Sequence, residues 1–216
     1  FADIIVKATK QVAENGNIDL ANIKIEKNKG SGLEDTELIH GIVFDKERVS
    51  VDMPQKVHGA RILLLDTALE IKSPETETRI SVTSPEQLQN FIDQEEKLLH
   101  RMVEKIKTSE ANVVFCQKGI DDIAQYYLAK AGIYACRRIA KSDMEKLARA
   151  TKGKIVSNLN DISQEQLGQA DIVEEVKRGD EAFTYVRGCR NPKALTILIH
   201  GGTDHVLDEM ERAIKD

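Results

Sequence analysis

The chain has 216 residues, of which 41% are hydrophobic and 31% charged, enough for a real core under a water-facing surface. Lys and Arg number 31 against 36 Asp and Glu; the net charge of −5 argues against a nucleic-acid surface, and no stretch of the sequence suggests a membrane span or a secretory leader. Trp is absent and aromatics make up 4%, so aliphatic side chains must build the core, and the three widely spaced cysteines (Cys116, Cys136, Cys189) read as reduced thiols of a cytosolic protein.

In chain order, "FADIIVKATKQVAE" reads as a helix with Ile4, Ile5, Ala8 and Val12 on one side and Gly16 beyond its end. "IKIEK" alternates like a strand, "KGSG" is a turn, and "GIVF" is a buried strand. "RILLLD", at 61–66, is a continuous apolar run and reads as a central strand. A polar stretch with Pro74 and Pro85 follows. Ser84, Pro85 and Glu86 then make a helix start: a cap, a proline at the first helical position and an acid in the first turn.

The helix they open, "EQLQNFIDQEEKLLHRMVEKI" at 86–106, carries Leu88, Phe91, Ile92, Leu98, Leu99, Met102, Val103 and Ile106 on one face, with Glu95 near the middle of it. Strands and helices then alternate. "ANVVFCQ" precedes the helix "IDDIAQYYLAKAG", closed by Gly132; "IYACRRI" precedes "SDMEKLARATKG", with Ser142 as cap and Gly153 as stop; "KIVSNL" is a further strand. This order predicts an α/β layer with parallel strands. "ADIVEEVKRGDEAFTYVRGC" reads as a hairpin turning at "RGDE", "ALTILIHGG" as a buried strand and "TDHVLDEMERAIKD" as a last amphipathic helix. The chain starts at Phe1 and ends at "ERAIKD", and reads as a piece of a longer protein.

Candidate chemistry is sparse. "LIHGGTDHV" runs a strand into a glycine turn and a helix whose amides could face a phosphate, but it lacks the full glycine-rich fingerprints, and a tight strand-to-helix turn is the better reading. His200 and His205 flank that turn without a zinc-spaced cysteine pair. Cys116 and Cys136 lie inside apolar strands as small buried groups. The acidic pairs Asp121–Asp122 and Glu174–Glu175 read as solvated faces. On "IDDIAQYYLAKAG" one face (Ile120, Ile123, Ala124, Tyr127, Leu128, Ala131) suits packing on a sheet. Its neighbour (Asp122, Gln125, Tyr126, Ala129, Lys130) could meet a partner.

Residues 111–156, "ANVVFCQKGIDDIAQYYLAKAGIYACRRIAKSDMEKLARATKGKIV", together with "IKIEK", "EDTELIHGIVFDKERV", "IDQEEKLLHRMVEKI" and "NPKALTILIHGGTDHVLDEMERAIKD", carry a resemblance that spans the chain. The sequence resembles the group II chaperonins, the archaeal thermosome and its eukaryotic cytosolic relatives. The resemblance implies an α/β fold: a layered apical substrate-binding domain with mixed sheets and flanking helices at 41–200, a helical protrusion or lid at 72–107, and a small α+β intermediate domain formed by 1–40 and 201–216.

An equatorial domain with the nucleotide contacts, where ATP and Mg²⁺ bind, would lie outside this stretch. The implied function is the client-binding and built-in-lid part of an ATP-dependent chaperonin that captures and encloses unfolded proteins. It would work in the cytoplasm, with other subunits of a double ring as partners and neither nucleic acid nor membrane. The contact residues would be Leu88, Phe91 and Ile92 on the protrusion and Ile123, Tyr126, Tyr127 and Lys130 on helix 120–131. Asp216, in "ERAIKD", would orient the attacking water in the intact subunit, whereas this stretch alone would be inactive and hold no cofactor or metal. His200 stands where the family usually has Arg. Two rivals are a small α/β nucleotide-binding enzyme using the Gly201–Gly202 turn, and a scaffold module that assembles rings without touching clients.

Overall fold

The computed structural model describes residues 2–12, 23–29, 37–71, 84–190 and 192–201. Ten strands and four helices alternate along them: α1 (Ala2–Val12), β1 (Ile23–Lys29), β2 (Glu37–Ile39), β3 (Ile42–Phe44), β4 (Lys56–Leu65), α2 (Pro85–Thr108), β5 (Val113–Cys116), α3 (Asp122–Lys130), β6 (Tyr134–Cys136), α4 (Lys141–Thr151), β7 (Ile155–Val156), β8 (Gly168–Arg178), β9 (Glu181–Arg187) and β10 (Leu195–Gly201). The last predicted helix, at 203–216, lies outside the described residues.

The strands form two sheets. The larger has seven strands in the order β3-β9-β8-β4-β5-β6, with β7 beside the end of β4. β4, β5, β6 and β7 run parallel, while β8, β9 and β3 are antiparallel, so the sheet is mixed rather than the parallel layer the alternation suggests. The apolar run at 61–66 is central, as its composition requires. Successive residues of a strand face opposite ways, so Ile62 and Leu64 pack under α4 with Phe44, Val113, Phe115, Met144 and Leu147. Leu63 and Leu65 pack with Leu99, Val103, Ile106, Val114, Ala124 and Leu128 under α2 and α3. A strand covered on both faces reads as unbroken hydrophobicity.

The second sheet has three strands in the order β1-β10-β2; β10 runs parallel to β1 and antiparallel to β2. α1 covers it through Ala8, Ile4 and Ile5, packed with Leu195, Ile197 and Ile25.

Several local expectations change. α4 starts at Lys141 with Ala140 as its cap and no side-chain cap bond, so Ser142 is already helical. Its end is made by Lys152, which takes φ 63°, not by Gly153. Gly153 is there for space: a Cβ on it would stand 2.9 Å from the Gly168 nitrogen. β6 and β7 keep only three and two residues of the strands expected around them. Arg138, at φ 56°, turns the chain out of the first of these.

Candidate functional site

α2 starts where its sequence says. The Ser84 hydroxyl accepts from the Gln87 amide at 3.2 Å, and Pro85 occupies the first turn. At 100° per residue, Leu88, Ile92, Glu95, Leu99, Val103 and Ile106 fall near one line along the helix. The body covers only part of that line. Leu99, Val103 and Ile106 are buried, whereas Ile92 and Leu88 are 39% and 49% exposed, and Phe91 beside them is 39% exposed. Glu95 sits half-buried at the boundary. Leu98, placed on the same apolar face by the sequence, is 41% exposed because it lies about 100° around the helix from Leu99. The result is an apolar strip of four large side chains on a helix end, interspersed with the exposed carboxylates Glu86, Asp93 and Glu96.

α3 lies against the anchored half of α2. The Asp121 carboxylate caps it, accepting from the Ile123 amide at 3.0 Å, and Gln125 Nε2 donates to the Ile120 carbonyl at 2.8 Å. Gly132, at φ 73°, lets the chain leave. Ala124 and Leu128 are buried, Ile123 and Tyr127 half-buried, Lys130 exposed and Tyr126 61% exposed.

The predicted packing face is the one observed; of the predicted open face Asp122, Tyr126 and Lys130 are exposed, whereas Gln125 is half-buried and Ala129 packs against the core. The Tyr127 ring meets the His100 ring of α2 at 4.6 Å between centroids and the Tyr126 ring at 5.5 Å. His100, Val103, Glu104, Lys107, Tyr127 and Lys130 line a small cleft between the two helices. Ile123, Tyr126, Tyr127 and Lys130 therefore gather beside α2. Leu88, Phe91 and Ile92 lie on the same helix, two turns or more beyond His100, roughly 12–18 Å along the axis.

The remaining candidates are structural or out of view. Burial pushes the Cys136 and Cys189 thiols up to about 12 and the Cys116 thiol up to about 11, so none is a thiolate near neutral pH. Glu175 corrects the reading of Glu174–Glu175 as a solvated pair. It is buried, and its carboxylate accepts from the Arg48 amide at 3.0 Å and from Arg48 Nη1 at 3.1 Å.

Thr184 works beside it. Its hydroxyl donates to the Lys46 carbonyl at 2.7 Å and accepts from the Tyr134 hydroxyl at 2.8 Å. Together these bonds hold loop 45–53, which carries the exposed Val51, a surface group that sequence reading missed because Val49, Val51 and Met53 look alike. Among the described residues no group of His, Cys, Asp and Glu could hold a metal ion, and no helix is long and apolar enough to cross a membrane. Gly201 ends β10; Gly202, His205 and Asp216 lie outside the described residues, as does the side chain of His200.

Comparison with known proteins shows which family this layered α/β body with its long, bare-ended helix belongs to. The model of the TCP-1/cpn60 chaperonin family matches residues 1–216, and the chain belongs to that family. It is 57% identical over 220 residues to a thermosome subunit of Methanopyrus kandleri and 55% identical to thermosome subunit alpha of Thermoplasma acidophilum, covering all of this chain and 40% of each relative. A solved open-state monomer of a group II chaperonin from Methanococcoides burtonii superposes with a TM-score of 0.79 at 42% identity, over all of this chain and 48% of that one. The chain thus spans about 40% of the length of the curated relatives it matches.

Proposed function

We propose that this chain is the client-binding and lid portion of a group II chaperonin subunit. The observation that supports it is the split of α2: one half is anchored through Leu99, Val103 and Ile106, while the other leaves Leu88, Phe91, Ile92 and Leu98 in water. Exposed apolar groups cost solubility unless they have an occupant, and neighbouring carboxylates keep such a strip from sticking permanently. The α3 face with Tyr126, Tyr127, Ile123 and Lys130 is the second contact surface in this reading.

Each contact is weak. Capture comes from several subunits of a ring presenting the same strip to one unfolded chain, and rests on apolar burial more than on charge. The subunit's division into an apical body at 41–200 with its protrusion at 72–107, and an intermediate part at 1–40 and 201–216, belongs to the same proposal. So do ATP and Mg²⁺ held in a part of the subunit outside this chain, a role for Asp216 in positioning the attacking water there, and a double ring in the cytoplasm. In that scheme nucleotide turnover turns the body and brings the protrusions of neighbouring subunits together.

The test is a double substitution, Phe91→Asp with Ile92→Asp. Both side chains are already exposed, so the chain stays folded by circular dichroism, while its suppression of the aggregation of a denatured enzyme falls. Undiminished protection of the aggregating enzyme overturns the proposal.

A further inference from the structure

The exposure of Leu98 divides the bare end of α2 into two flanks. At 100° per residue, Phe91, Leu98 and Lys105, seven positions apart, each fall about 20° from the one before, with the half-buried Met102 beside them. His100 and Lys107, which line the cleft against α3, lie about 180° around the helix from Leu98. One flank therefore meets α3. The other carries Phe91 and Leu98 and runs down to a separate cleft of about 570 Å³, between the base of α2 and residues 159–164.

This second cleft has an apolar lining and a basic rim. Leu159 and Ile162 are half-buried and pack on the core beneath α2. Arg101 and Lys105 stand on the α2 side, and Lys105 Nζ donates to Asn160 Oδ1 across the edge. Among the described residues the exposed Arg101 side chain has no hydrogen-bond or ion-pair partner. The far wall is fixed by its own turns: Asn158 Oδ1 accepts from the Asn160 amide at 2.9 Å, and Gln166 Oε1 accepts from the Ser163 amide at 3.2 Å. Glu104 is the one acid lining the cleft, and its Oε1 lies 3.3 Å from His100 Nε2 on the α3 side. Glu86, Asp93 and Glu96 lie about 120° or more around the helix from Leu98, so apart from Glu95 at its edge this flank is apolar and then basic.

From Phe91 to Lys105 the flank is ~21 Å long, the length of six or seven residues of extended chain at ~3.3 Å each. We propose that it is a track for one extended client segment of about that length, apolar where it crosses Phe91 and Leu98 and again on Leu159 and Ile162, with a carboxylate opposite Arg101 and Lys105. The track rests on the proposed function and deepens it: it continues the bare strip away from α3 and gives it a preference for acidic apolar segments. An unpartnered guanidinium beside an apolar groove favours a carboxylate at that point over an ammonium.

Two fluorescein-labelled heptapeptides serve as probes: Leu-Ser-Leu-Ser-Asp-Ser-Leu, and the same peptide with Lys in place of Asp. The net charge of −5 on the whole chain favours the lysine peptide, whereas the track favours the aspartate peptide, so the two causes predict opposite orders. By fluorescence anisotropy the aspartate peptide should bind the 216-residue chain roughly tenfold tighter. Arg101→Glu should reverse the order and Leu98→Ser should weaken both; both positions are exposed, so the variants should stay folded by circular dichroism. A nitroxide on Gln164→Cys should broaden the bound peptide's proton signals more than one on Lys130→Cys of α3. Both sites are exposed, and the three native thiols are buried and escape labelling near neutral pH. Equal or tighter binding of the lysine peptide, binding of neither, or broadening from position 130 instead of 164 overturns the track and leaves the α3 face as a client surface. A retained preference for the aspartate peptide, with undiminished protection of a denatured enzyme by the Phe91→Asp, Ile92→Asp chain, counts instead against the proposed function.

Discussion

The sharpest test of α2 is to make one substitution twice on the same helix line. Ile106 is fully buried between the sheet and α3, while Ile92, four turns nearer the free end, is 39% exposed. Ile→Ala removes three carbons. At ~0.8 kcal/mol per buried carbon group the transfer loss at Ile106 is about 2.4 kcal/mol, and the cavity left behind raises the total into the ~2–5 kcal/mol range of such core truncations. At Ile92 little new surface is exposed and no cavity forms, and Ala is the better helix former by a few tenths of a kcal/mol, so the change should stay within about 1 kcal/mol of zero. For a chain of this length 1 kcal/mol moves the midpoint by ~2–4 °C. Ile106→Ala should therefore lower Tm by roughly 4–20 °C while Ile92→Ala leaves it nearly unmoved. Urea titrations followed by circular dichroism give the same comparison independently of heat. In an aggregation assay well below both midpoints the order should invert, with Ile92→Ala the weaker protector. If Ile92→Ala costs as much stability as Ile106→Ala, the free end of α2 is packed and the argument built on its exposure fails.

Thr184→Val keeps the shape but leaves the Lys46 carbonyl without its donor and the Tyr134 hydroxyl without its acceptor. It should cost about 2–4 kcal/mol and speed amide exchange at Val49, whose N–H donates to the Ala135 carbonyl at 2.9 Å; unchanged stability and exchange would show that Thr184 does not hold loop 45–53. Burial raises the three thiols from a usual 9.0 to about 11 or 12, so the folded chain keeps protons that the unfolded chain releases. Stability should be level below pH 9 and fall between about 9 and 11 by up to ~1.4 kcal/mol per pH unit for each thiol, with no reaction with a thiol reagent at pH 8 until denaturant is added; a flat urea midpoint across that window refutes it.

Much of this fold was legible because its signals are local. The period of 86–106, the Ser84–Pro85–Glu86 start, the Gly132 stop and the apolar run at 61–66 each depend on neighbours within a turn or two. What failed depends on distance. Gly153 looked like a helix stop, but it answers to Gly168, fifteen positions on and beside it only after folding, while Lys152 takes the left-handed turn itself. Glu175 looked like one of two solvated acids. Only the pairing of β8 with β4 and β9 and the arrival of Arg48 show that one carboxylate points in and the other is shared between Lys56 and Arg187 at the surface. Parallel and antiparallel pairing around β4 was equally hidden, since strands buried on both faces carry no alternation to count.

The candidate surface lies between these cases. Its apolar side chains could be named from the sequence, and the family resemblance singled out Leu88, Phe91 and Ile92 as the contact residues on α2, while Leu98 was not among them. Leu88 and Ile92 are as apolar as Leu99 and Ile106 and share their line, so nothing in their own chemistry separates the exposed half from the buried one. The separator is Glu95. An ionised carboxylate carried under the sheet without a partner would lose several kcal/mol of hydration, so the body can cover the helix line only up to the turn after it. Leu99 is the first residue on the line to be fully covered, and Glu95 is left half-buried at the edge. The carboxylate that interrupts the stripe thus marks where packing must stop, and the apolar residues on its far side are left exposed by the same rule that buries those on its near side.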